Sequence, residues 1–166
     1  SGSGAENQSS LGVRRVAHRF IVGESPQAAM GELRDLWKAG VASSVDLLGE
    51  ATVTQAEAQR YADRCAEALE IVVRESAKWP ARPPLERDSA GPLPRTNLSV
   101  KVSALTPLLR PEAPERGKRD AAQRLRGLLR KARELGAHLH IDTESLDSRD
   151  AALERVLELL AEEEFR

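Results

Sequence analysis

Cysteine is almost absent from this sequence of 166 residues, where Cys65 stands alone. A single thiol excludes an internal disulfide and any zinc site built from several cysteines, and it fits a reducing compartment. With Ala62, Ala66 and Leu69 as helical neighbours, it reads as an inert core thiol. Long apolar runs are absent too. No segment approaches the ~20 consecutive apolar residues of a membrane span, and the start has no basic segment leading into an apolar one. The expectation is a soluble, cytoplasmic protein. Charge of one sign is the third absence: 25 Lys and Arg against 26 Asp and Glu leave a net charge of −1, interspersed along the helices. No basic face advertises nucleic acid and no acidic block advertises a cationic partner. What is present is ordinary globular composition, 40% hydrophobic and 31% charged, enough for one core. The opening SGSGAENQSS, residues 1–10, reads as an appended tag remnant or a disordered end, so the fold is assigned to residues 11–166.

Apolar periodicity alternates between helix and strand spacing. From Pro26 to Ala39 a stripe of Ala29, Met30, Leu33, Leu36 and Trp37 predicts a helix, with Ser25 as N-cap and Gly40 closing it. Val41 to Leu47 predicts a short strand. Thr54 and Glu57 have capping-box spacing, and Ala58, Tyr61, Ala62, Cys65, Leu69, Val72 and Val73 carry a long helix to about Ala77. The Pro-rich WPARPPLERDSAGPLPRT predicts a long exposed loop, and NLSVKVSAL a strand. A third stripe from about Lys118 to Leu135, stopped by Gly136, predicts another helix, AHLHID a third strand, and Ser148 the start of a last helix through Ala152, Val156, Leu159 and Leu160.

No two strands are adjacent in this order, which argues for parallel strands joined by right-handed crossovers and thus α/β architecture. Alternation then separates two faces. Ala42, Ser44 and Asp46 share one side of the first strand, Ser99, Lys101 and Ser103 of the second, and His138, His140 and Asp142 of the third. The opposite sides are mainly apolar. A sheet sandwiched by helices should be apolar on both faces, whereas a barrel with helices only outside and a polar site within fits this pattern. The expected fold is a partial (β/α)8 TIM barrel of about three strand-helix units, with charges at the C-terminal strand ends.

The residues leave several chemistries open. An inward Lys101 at a strand end suits a Schiff base, a structural pairing with Asp46 and Asp142, or a carboxylate-binding cation. His138 and His140 pair as metal ligands do, but lack an evident third and fourth, and polar filling of the lower barrel is the preferred reading. Asp46 and Glu50 also suit helix N-termini. The run KRDAAQRLRGLLRKAR reads as a solvated helix face rather than a phosphate patch, since Leu125, Leu128 and Leu129 fix its buried side. Trp37 and Trp79 read as packing and loop anchors.

Three separated motifs, DLLGEA, SVKVSAL and IDTE, occur in order, each at a strand end. Together with RFIVGESPQAAMGELRDLWKAG they make the chain resemble the opening staves of proline dehydrogenases, the flavin barrels often fused to a glutamate-semialdehyde dehydrogenase in bacterial proline-utilisation proteins. The resemblance implies a (β/α)8 barrel that binds FAD and oxidises L-proline to pyrroline-5-carboxylate in proline catabolism. It also implies an electron acceptor such as membrane quinone, and hence a membrane-peripheral whole enzyme. It assigns Lys101 to the proline carboxylate and Asp142 to the space beside substrate and flavin. Thr143 falls on the flavin-contacting edge, Glu50 pairs with a substrate-binding arginine, and Asp46 lies in the substrate-binding group; no metal is implied. Thr106 and Ser145 depart from the residues common in the family.

A complete barrel takes about 250 residues. Three strands leave the substrate arginines and the flavin-clamping residues to later staves, so the chain is expected to be inactive alone and, with exposed sheet edges, to self-associate. Two rivals stand beside this reading: a Schiff-base lyase using Lys101 on a similar barrel, and a non-catalytic structural or assembly module.

Overall fold

Ser25 opens the first helix as the sequence predicts. In the computed structural model, which describes residues 25–48, 52–108, 114–142, 153–154 and 156–165, its hydroxyl accepts the N–H of Ala28 at 3.2 Å. Helix α1 (Pro26–Lys38) has Pro26 in its first turn, where the missing N–H is no loss, and it buries Ala29, Met30, Leu33 and Trp37. Its end sets the next boundary. Gly40, at φ +86°, lets its own N–H reach Trp37 O and the N–H of Val41 reach Leu36 O, both at 3.0 Å. That closure consumes the Val41 donor, so strand β1 is Ser44–Asp46 and not the expected Val41–Leu47.

Thr54 begins helix α2 (Gln55–Ser76) with the predicted capping box: Thr54 Oγ1 accepts the Glu57 N–H at 3.2 Å, and Glu57 Oε2 accepts that of Thr54 at 2.9 Å. The Pro-rich stretch is more ordered than a loop. It forms a one-turn helix, α3 (Pro83–Glu86), and a two-residue antiparallel ladder of β2 (Arg87–Asp88) and β3 (Gly91–Pro92). Asp88 Oδ1 closes that ladder's turn by accepting the N–H groups of Ala90 at 2.8 Å and Gly91 at 3.1 Å. Arg95 ties the segment down, with bonds to Glu86 at 2.7 Å and to the carbonyls of Ser76 and Trp79 at 3.0 Å. The tryptophans anchor it as expected. Their rings lie 5.6 Å apart, and Trp37 Nε1 donates to Pro80 O at 2.8 Å.

Strand β4 (Asn97–Lys101) stops four residues before the expected Leu105. Val102–Ala104 is a 3₁₀ turn, so Ser103 leaves the inner face to which alternation assigned it. The stop is made by the turn itself, in which the Leu105 N–H folds back onto Val102 O at 3.0 Å while Val102, Ala104 and Leu105 are buried. Helix α4 (Pro114–Leu135) begins four residues before Lys118 and repeats the closure of α1. Gly136, at φ +64°, lets the Ala137 N–H reach Ala132 O at 2.9 Å, and the next donor, His138, bonds Thr96 O at 3.0 Å and opens strand β5 (His138–Asp142). Residues 156–160 are helical, with Val156 and Leu159 buried; Leu160, expected on the buried stripe, is exposed, and Ser148 and Ala152 lie outside the described residues.

The three long-range strands form a parallel sheet in the order β1-β4-β5. One face packs on α2 and α4. Leu98 and Val100 are fully enclosed there, with Val45, Leu139 and Ile141 against the same core. Burial of each such large side chain contributes about 1.5–3 kcal/mol, which fixes which face turns outward to the helices. The polar face is left for the site. Among the described residues no helix is long and apolar enough to cross a membrane.

Candidate functional site

Register alone assembles the polar face. Asp46 pairs with Ser99 and Ser99 with His140, Lys101 pairs with Asp142, and Ser44, Asn97 and His138 form the row nearer the strand starts. Residues in register on neighbouring parallel strands share a face, so Asp46, Lys101 and Asp142 gather at the C-terminal ends of three strands. Lys101 is buried at 9% accessibility, and its Nζ lies 3.5 Å from Asp46 Oδ2, while the Asp46 side chain remains 41% exposed. A buried ammonium beside a half-exposed carboxylate on an otherwise polar wall can bind an anion entering from the open side. Asp142 is half-buried.

Lys101 is also gripped from behind. Its main-chain N–H donates to the Tyr61 hydroxyl of α2 at 3.1 Å. Burial holds the Tyr61 phenol well above the usual tyrosine range, so it stays neutral, and burial pushes the neighbouring Cys65 thiol up to about 11. Cys65 is thus the inert core thiol expected. Sequence reasoning placed Tyr61 on the buried stripe but not at the site. A signal was there, since it is the chain's one tyrosine, a polar-tipped ring in a stripe of Ala, Leu and Val.

Of the residues singled out from sequence, Asp46, Lys101 and Asp142 come together, while Glu50, Thr143 and Ser145 lie outside the described residues. His138 and His140 share the polar face and are exposed on it. Among the described residues no group of three or more His, Cys, Asp or Glu is arranged to hold a metal ion. Thr106 is buried and its Oγ1 accepts the Leu108 N–H at 3.1 Å, so it shapes the turn after β4. The arginine-rich helix faces outward as predicted, but its charges are engaged. Arg124 joins Asp120 at 2.9 Å and the Leu105 carbonyl at 2.9 Å, Arg126 joins Glu162 at 2.5 Å, and Lys131 joins Glu70.

The parallel sheet thus bears a lysine between two aspartates at its C-terminal rim, and residues 29–166 match the family described as proline dehydrogenase. The chain belongs to the proline dehydrogenase family. It is 28% identical to the bifunctional protein PutA of Salmonella typhimurium and 27% identical to that of Escherichia coli, in each case over 93% of this chain and 11% of the relative. The chain therefore spans about a tenth of the length of these PutA relatives. Against the crystal structure of proline utilization A from Bdellovibrio bacteriovorus, inactivated by N-propargylglycine, the TM-score is 0.91 at 34% identity, over 96% of this chain and 17% of that one. The α/β arrangement with parallel strands is that of the proline dehydrogenase barrel, represented here in part.

Proposed function

We propose that this chain supplies the opening staves of an FAD-dependent barrel that oxidises L-proline to pyrroline-5-carboxylate, and that it is inactive without the rest of that barrel. The observation that carries the proposal is Lys101, buried at the end of the middle strand with its ammonium 3.5 Å from Asp46. In this reading Lys101 holds the proline carboxylate, because a zwitterionic amino acid needs a fixed cation there and anionic groups near its ammonium. Asp46 orients the lysine and adds negative charge at the same rim, Asp142 stands beside substrate and cofactor, and Glu50 pairs with an arginine of a later stave.

The described residues fit a flavin in one respect: α2 and α4 cover the apolar face, leaving a polar wall with charged groups at its C-terminal rim. Asp142 and Thr143 would meet the cofactor there, and FAD, when bound, supplies the hydride acceptor that side chains cannot provide. The test is the absorption spectrum of the complete protein with and without L-proline. A flavin spectrum that bleaches on proline addition supports the reading. A protein without flavin overturns it, and a borohydride-trapped substrate adduct on Lys101 replaces it with lyase chemistry.

A further inference from the structure

We propose that Tyr61 is a positioning residue for Lys101, acting from the helix layer through the main chain. This deepens the reading of Lys101 as the carboxylate-binding cation and rests on it. The last pair between β1 and β4 is Asp46 with Ser99, so Lys101 lies two residues beyond that ladder. Its N–H is accepted by the Tyr61 hydroxyl at 3.1 Å, forty positions away in sequence. A phenol on α2 thus takes the place of a ladder carbonyl at the residue whose side chain belongs to the opposite, polar face.

The location makes this bond directional and not merely cohesive. Immediately after Lys101 the chain leaves the strand for the 3₁₀ turn Val102–Ala104, closed by the Leu105 N–H on Val102 O at 3.0 Å. The Cα–Cβ direction of Lys101 depends on where that change begins, and a fixed N–H fixes the peptide plane. Tyr61 can sustain the role because it is only 4% accessible and burial keeps its phenol neutral, so the oxygen is there to accept from Lys101. Lys101 is then held at two ends, its peptide by Tyr61 and its ammonium by Asp46 at 3.5 Å. Tyr61→Phe keeps the ring and removes the oxygen. A buried N–H then lacks its acceptor, the turn relaxes to find another, and the ammonium moves with it.

The test is a double-mutant cycle in the complete flavin-loaded protein: wild type, Tyr61→Phe, Lys101→Met and both together. Each is measured for KM and kcat with L-proline, for inhibition by a saturated five-membered-ring carboxylic acid lacking the amine, and for flavin content. Tyr61→Phe should raise KM and the inhibition constant about tenfold, leave kcat within about twofold, and add less than about twofold in the Lys101→Met background. An unchanged KM, or an equal increase in both backgrounds, overturns the proposal, because a merely structural tyrosine would act independently of the lysine. Should Tyr61→Phe not fold, Tyr61→His enters the same cycle and is judged by the same coupling. If Lys101→Met itself leaves KM unchanged, the carboxylate-binding reading fails first; if Lys101→Met raises KM and Tyr61→Phe does not, only the role of Tyr61 fails.

Discussion

At the scale of single residues, the site depends on one ammonium that is costly to bury and hard to replace. Lys101 has 9% accessibility and an aspartate 3.5 Å away, so its desolvation is offset by a partner already in place before any ligand arrives. Loss of one charge-assisted contact costs about 1.5–3 kcal/mol, and Lys101→Ala in the complete protein should therefore raise KM for proline about 10- to 150-fold with flavin content kept. Steady-state kinetics beside a flavin absorbance ratio check this, and an unchanged dependence of rate on proline would contradict it. Asp142 occupies the adjacent register position, opposite Lys101 on β5. An oriented charge beside the reacting centre acts on the rate, so Asp142→Ala should slow flavin reduction in stopped-flow measurements while circular dichroism remains that of wild type. Reduction at the wild-type rate would remove Asp142 from the reacting centre.

At the scale of elements, chain ends matter more than chain middles. The Thr54–Glu57 box satisfies donors at the start of the helix that carries Tyr61, so Thr54→Ala should lower stability by about 1 kcal/mol, read by denaturant titration. Glu57 adds a pH dependence. Its carboxyl is held below the usual range by accepting the main-chain N–H groups of Val53 and Thr54. A depressed carboxylate contributes stability above its unfolded value, about 4.3, and loses that contribution as pH falls through the folded value. Glu57→Gln should thus melt below wild type at pH 7, with the gap closing towards pH 3; a gap independent of pH would show that charge plays no part. The same attention to ends explains what the sequence made legible. Helix stripes, both glycine closures, the capping box and the polar face of the strands were readable because each rests on local spacing. Sequence spacing set the start of β1 too early and the end of β4 too late, since the first boundary depends on which N–H the α1 closure consumes and the second on the 3₁₀ turn that the Leu105 N–H closes on Val102 O. Lys101, Asp46 and Asp142 could be grouped by alternation, whereas the bond from Lys101 to Tyr61 joins two elements forty positions apart and has no local signature.

At the scale of the whole molecule, the sheet sets the terms. Eight parallel strands close a barrel, and closure removes edges. The described residues place β4 between β1 and β5, and each of these outer strands has β4 as its only described ladder partner. The apolar surface is correspondingly uneven: Leu48 is 64% exposed, Val53 80% and Leu157 58%, while Leu98, Leu105 and Leu159 are fully enclosed. Unpaired strand edges and exposed large aliphatics beside a formed core are what association between copies would cover. The 166-residue chain on its own should therefore run as an oligomer or aggregate in multi-angle light scattering, and it should not bleach added FAD when L-proline is supplied. Joined to the remaining staves in the complete protein, the same segment should lose that tendency, because the edges then pair within one chain. A stable monomer of the isolated chain that reduces added FAD with proline would contradict both halves of this argument, and would mean that the polar faces of three strands suffice for a chemistry here assigned to the closed barrel.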